Sequence, residues 1–448
     1  MTFSGIPFLF FFFPVMLILY FAVPGKLKNL VLLIGSLAFC LWGTPQYLPL
    51  ILLTTAMFYG CGLAIELIEN PRWKKFFMIL SVALSMALLA AFKGLNESSL
   101  SLALPIGISF YTFRGISYTV DIYRGKVAAQ KNPLTFASFL LMFPCLMFGP
   151  IVRYTDLAEA FQKRTHSWEG FFLGLRRFIV GLSKSVILGG SFLQMGTFLQ
   201  NSTDQSVLYY WLYAFALLLY VYFDCSGCAD QAIGIGRMMG FTFVEDFNYP
   251  YTALSAQEFW RRWRMSLASW FKDYMYIPLG GNRVSKGRWI LNTLAIWAFT
   301  GLWHGFRITF VLWGLMFAVL LMFERWVPAF KKLPSFVRRI YLILMVTISF
   351  VLFSAPDLAT AGKYLGSMFG LCQLPLFSAE AWFQLRSSAL LFVVGIIGVT
   401  PLVRNIALRI ENTKVGKVLQ IVVMVALLLL CVGYLVSGGD IGNLYADF

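Results

Sequence analysis

Twelve apolar runs follow one another along the chain, at 3–23, 30–42, 47–68, 76–92, 102–120, 171–199, 207–223, 289–305, 309–323, 341–353, 390–402 and 418–436. Runs of this kind belong in the hydrocarbon core of a bilayer, where a helix bonds its own backbone groups. The chain therefore reads as an all-α polytopic integral membrane protein with about 11–12 transmembrane helices. Several runs fall short of the roughly 20 residues a straight span needs, so their boundaries are soft.

The composition agrees, with 59% hydrophobic and 12% charged residues, where soluble domains carry roughly a quarter charged residues. A net charge of +16 would suit nucleic acid if it were gathered on one face. It is instead divided among short loops: Lys26/Lys28, Arg72/Lys74/Lys75, Arg124/Lys126/Lys131, Arg153/Lys163/Arg164, Arg325/Lys331/Lys332/Arg338/Arg339 and Arg404/Arg409/Lys414/Lys417. The loops at 43–46, 201–206 and 437–448 carry no Lys or Arg. By the positive-inside rule the basic loops are cytoplasmic and both termini lie outside. No nucleic acid is expected as a partner. No Lys or Arg precedes the first run, so it reads as a retained span and not as a signal peptide. The seven cysteines are scattered. Cys225 and Cys228 have redox spacing, but no second pair completes a metal site, and they read as buried packing residues.

Three stretches do not fit simple spans. Residues 134–151 are apolar, contain Pro144, Gly149 and Pro150 and lie between two basic loops, so they are expected to enter and leave on the cytoplasmic side. Irregular backbone at that depth has to be buried by protein or line a cavity. Residues 224–270 read as shorter helices at the cytoplasmic boundary, and 354–386 as an external loop with an amphipathic piece. With no internal repeat, the whole of 1–448 reads as one integral domain. Its parts are N-terminal helices (1–130), a motif-bearing core (131–305) and C-terminal helices with an external end (306–448).

Only two histidines exist. His166 lies in FQKRTHSWEG, a charged loop, and reads as a solvated surface residue. His304 ends the run WILNTLAIWAFTGLWHG. A helix starting near Trp289 would carry it about 22 Å into a core about 30 Å thick. Ionisable groups at that depth are functional by default. An imidazole takes a proton near neutral pH, which is what activating a hydroxyl for acyl transfer demands. No GxSxG elbow, HExxH pair or Walker loop competes with it. The block before it, QEFWRRWRMSLASWF, sets Trp260, Trp263 and Trp270 beside Arg261, Arg262 and Arg264. It reads either as a snorkelling interfacial anchor or as a site for the phosphates of an anionic donor.

FDCSGCADQAIGIGRMMGFTFVEDFNYPY, EFWRRWRMSLASWFKDYMYIPLGGNR and TGLWHG, in this order, resemble the membrane-bound O-acyltransferases, in the branch that O-acetylates alginate, other polysaccharides and peptidoglycan. SGIPFLFFFFPVML and LPIGISFYTFRGISYTVDIYRG look like the same branch, so the resemblance covers nearly the whole chain. It implies a multi-pass protein of the bacterial inner membrane, with re-entrant and interfacial helices around a central cavity. It also implies a catalytic His304 beside Trp303, and an acyl donor taken from the cytoplasm as acetyl-CoA, another acyl-CoA or an acyl carrier protein. Neither a metal nor a bound cofactor is implied. Asp224, Asp230, Asn282 and Arg283 fall inside these motifs and are candidates for the cavity or the donor site, with Arg261, Arg262, Trp263 and Arg264. The implied partners are an extracytoplasmic SGNH-type transferase and a glycan acceptor, besides membrane lipid.

Two departures stand out. Arg264 occupies a position where relatives commonly have a His, so His304 would act without a second imidazole. Cys225 and Cys228 replace two aromatics of the pattern FDFSGYSD. The chain ends GNLYADF, similar to an aromatic C-terminal motif whose Tyr is proposed to accept the acyl group, and this makes Tyr445 a candidate relay. D-alanyl transfer to teichoic acid is the close alternative. From another class, a transporter or a scaffold of a polysaccharide export complex also fits a buried ionisable residue among broken helices.

Overall fold

The computed structural model describes residues 2–97, 104–147, 149–203 and 205–439. Tyr445 and its motif lie outside the described residues. Helices make up nearly all regular structure, and no strand occurs among the described residues. Among the described residues seven helices are long and apolar enough to cross a membrane: Gly25–Gly43, Pro45–Leu67, Pro71–Leu95, Val207–Met238, Ile308–Trp326, Ser335–Ser354 and Lys414–Val436. The pair Ala379–Ser387 and Ala389–Gly398, bent by 55°, makes an eighth if it counts as one span. The other apolar runs are also helical, at Phe13–Ala22, Ile108–Tyr123, Trp168–Ser183 continued by Lys184–Gly189 and Gly190–Asn201, and Lys286–His304. They are shorter, carry more polar residues or are broken by π-helical turns. The multi-pass all-helical architecture stands, with fewer unambiguous spans than runs.

The chain forms two compact units. The first comprises Met1–Phe178, Cys228–Glu245 and Ser269–Met275. In it Leu48–Leu67, Pro71–Glu97 and Ile108–Tyr123 pack on one another. The re-entrant stretch follows as Pro133–Leu140 and a 3-10 turn at Phe143–Cys145. Asn132 opens its helix by accepting from Leu134 N and Thr135 N, at 2.9 and 3.2 Å. Where the helix breaks, the buried Arg114 guanidinium donates to the Leu140 carbonyl. Phe136, Phe139, Leu140, Phe143 and Cys145 are fully buried. Irregular backbone is thus enclosed by protein, as a bilayer requires.

The second unit comprises Ile179–Gly227, Asp246–Ala268 and Tyr276–Phe448. The Val207–Met238 helix, whose residues from Cys228 onward belong to the first unit, runs for 32 residues, whereas the sequence reading ends a span at 223 and begins shorter helices at Asp224. No proline falls between these ends, and Gly227, Gly234 and Gly236 serve close packing rather than termination. Gly240, at φ 83°, ends it in the left-handed conformation, with Phe241 N donating to Gly236 O at 2.8 Å. Asp224 and Asp230 consequently sit on a buried helix. The stretch 354–386 likewise holds two helices, Leu358–Met368 and Ala379–Ser387.

Candidate active site

His304 is the last residue of the Lys286–His304 helix, which packs along Ile308–Trp326. Two glycines allow this pair to meet backbone to backbone. A Cβ at Gly301 would run into the Phe310 carbonyl, and one at Gly314 into the Trp297 carbonyl. This close approach holds the helix end in place and leaves His304 only 8% exposed. Its imidazole stands edge-on to Trp313 at 5.3 Å and to Phe353 at 4.9 Å between centroids, with Trp303 at 4.6 Å and Phe310 at 6.1 Å. A wall of rings keeps bulk water from the imidazole, and a proton-transfer group is more effective in such a site.

The Ala256–Trp260 helix joins the same wall. Ser255 caps the Ala256–Trp260 helix through Glu258 N at 3.1 Å. Glu324, on the Ile308–Trp326 helix, accepts from Ala256 N and Gln257 N at 2.6 and 3.1 Å. Trp260 then meets Trp297 at 5.0 Å and Trp313 at 5.8 Å. Trp313 thus touches both Trp260 and His304, which joins the two ends of the stretch 257–305.

The three arginines of the block have three different surroundings. Arg261 is exposed. Arg262 bonds Glu258 at 2.6 Å and Thr252 at 3.1 Å. Arg264 is buried, at φ 45°, with Nη1 3.4 Å from the carboxylate of fully buried Asp246. Asp246 also accepts from the Ser266 amide and hydroxyl, at 3.0 and 2.6 Å. Removing one member of such a buried pair strands the other charge. Trp263 is buried among Phe247, Tyr251, Phe259 and Phe350. Asn282 accepts from Tyr276 at 2.7 Å and from Arg325 at 3.2 Å, while Arg283 is exposed.

Trp303 and His304 are neighbours in the ring wall. Asp224 is 2% exposed on the Val207–Met238 helix, and its backbone lies beside Gly189. In the first unit, Asp230 takes two bonds from Arg177, at 2.7 and 3.0 Å, and Arg177 also binds Glu245. Asp230 therefore sits in a carboxylate–guanidinium–carboxylate cluster. The residues that sequence reasoning missed are Trp313, Phe353, Glu324 and Asp246. Glu324, an acid at the end of an apolar run, was the one with a visible signal.

Residues 127–361 match the membrane-bound O-acyltransferase family. The chain is 38% identical over 396 residues to the probable alginate O-acetylase AlgI of Pseudomonas syringae pv. tomato, covering 82% of this chain and 75% of the relative. It is 30% identical to the peptidoglycan O-acetyltransferase of Helicobacter pylori, covering 81% and 79%. The teichoic acid D-alanyltransferase of Bacillus subtilis is also 30% identical, over 55% of this chain and 67% of that protein. The chain belongs to the membrane-bound O-acyltransferase family. It is a multi-pass membrane enzyme that transfers acyl groups to hydroxyls.

Proposed function

We propose that the protein moves an acetyl group from a cytoplasmic thioester donor, acetyl-CoA, toward O-acetylation of a cell-envelope glycan. The observation that carries this reading is His304, an imidazole enclosed by rings within the matched segment 127–361. A nitrogen of His304 takes the proton of the acceptor hydroxyl as its oxygen bonds to the thioester carbonyl carbon. The C–S bond then breaks, and the imidazolium returns the proton to the leaving thiolate. Arg261 and Arg283, both exposed, are the cations of the candidate set available to donor phosphates. Arg264, paired with Asp246, holds the fold of the block. The acetylating relatives align over more than four fifths of the chain and the D-alanyl transferase over about half, which favours acetyl over D-alanyl.

Tyr445 completes the proposal as the acceptor hydroxyl. An acetyl-tyrosine on the outer side would hand its acyl group to an SGNH-type transferase. Purified protein in vesicles, given labelled acetyl-CoA and a hydroxyl acceptor, is expected to release CoA in step with acceptor labelling. No turnover while the folded protein transports a solute would instead favour a transporter. For the relay, peptide mass spectrometry should find label on Tyr445, and an unlabelled peptide together with an active Tyr445→Phe would remove it.

A further inference from the structure

The other histidine lies in the first unit, in a setting the acyl-transfer reaction does not use. His166 is exposed in the loop before the Trp168–Ser183 helix. Its Nε2 is 3.4 Å from Lys28 Nζ and 3.3 Å from the Tyr20 hydroxyl. Arg164 Nη1 donates to that same hydroxyl at 3.0 Å, and Tyr20 gives its own proton to the Met239 carbonyl at 2.6 Å. Two basic side chains, Arg164 and His166, therefore meet at one phenol oxygen, and the third, Lys28, meets His166 and lies over the Tyr20 ring at 4.8 Å from its centroid. Among the described residues none of them has a carboxylate within 4.0 Å. Burial, and then the charges of Lys28 and Arg164, hold the His166 imidazole below its ordinary value, and burial lowers Arg164 too.

The Nε2 contacts also compete. With the Tyr20 proton committed to Met239, Nε2 must be protonated to bond the phenol oxygen and unprotonated to accept from Lys28. An anion bridging the two side chains would offset the positive charges that hold the imidazole down, so that His166 could carry a proton and bond the anion together with Lys28.

The neighbouring surface identifies the anion. Phe21, Leu27, Trp168 and Phe172 are exposed at 43%, 45%, 78% and 59%. Phe21 packs against His166 at 5.7 Å and Phe171 at 6.0 Å. Exposed aromatics beside cations at the start of a membrane span are the pattern of a headgroup boundary. We infer that Lys28, Arg164 and His166 bind the phosphate of an anionic phospholipid whose acyl chains lie along Phe21 and Leu27.

The test is native mass spectrometry of the delipidated full-length protein in neutral detergent, titrated with phosphatidylglycerol or phosphatidylcholine. The wild type is expected to prefer phosphatidylglycerol. Lys28→Gln should lower that preference roughly fivefold, the effect of one basic residue at a charged membrane surface, and leave phosphatidylcholine binding unchanged. Lys28→Arg, which keeps the charge, should keep the preference. Lys26→Gln removes the same charge two residues away and is expected to have no effect. Equal preference in Lys28→Gln and wild type, or an equal fall in Lys26→Gln, overturns the site. Displacement of phosphatidylglycerol by inorganic phosphate at about equal concentration would show that a soluble anion is the ligand and overturn the lipid assignment.

Discussion

The two histidines share a side chain and little else. His304 ends a helix that two glycines seat against its neighbour, and four aromatic rings surround it. His166 lies in a polar loop, exposed, with Lys28 beside it and Arg164 on the same phenol. The first is placed by packing that no single bond provides, the second by a few contacts at the surface. Burial gives one imidazole a fixed position, as the proposed proton transfer requires. Clustered positive charge gives the other an affinity for anions.

The difference should be measurable as stability. Around the buried site the largest effect is expected for Asp246→Ala, which leaves Arg264 buried without its carboxylate and should cost about 3–5 kcal/mol. It would be seen as a much lower unfolding midpoint in detergent. Gly301→Val forces a side chain into the Phe310 carbonyl and should cost about 1–3 kcal/mol. Because the shift falls on the helix that carries His304, acyl transfer should drop more than the midpoint. Glu324→Ala strips two backbone donors of their acceptor, for about 1–2 kcal/mol, and should make cleavage near Ala256 easier under limited proteolysis. At the exposed histidine, His166→Gln is expected to stay within about 0.5 kcal/mol of wild type. A midpoint shift there as large as that of Gly301→Val would erase the contrast.

Much of this was legible in the sequence. The apolar runs became helices, and the apolar, proline-bearing stretch at 134–151 became, in its described residues, irregular backbone enclosed by protein, because a bilayer leaves few other solutions. What was not legible depended on partners distant in the chain. Arg264 reads as one of three surface cations until Asp246, 18 positions earlier in the sequence, is found against it. Phe353 enters the ring wall from 49 residues beyond His304, and nothing in its own run marks it. The Val207–Met238 helix ran past its expected end because glycines in a buried helix signal close packing as well as breaks, and a sequence does not say which. Lys28 and His166 were both visible as basic-loop residues, but their meeting is a fact of tertiary structure.

The central claim is that the enclosed imidazole carries the acyl transfer, and His304→Gln tests it most directly. Gln keeps hydrogen-bonding capacity and similar bulk and removes the titrating nitrogen. The variant should be inserted and folded as wild type by gel filtration in detergent, while transfer from labelled acetyl-CoA falls by about 100-fold or more, the usual contribution of a general base. A folded His304→Gln protein that transfers acetyl at the wild-type rate would contradict the account.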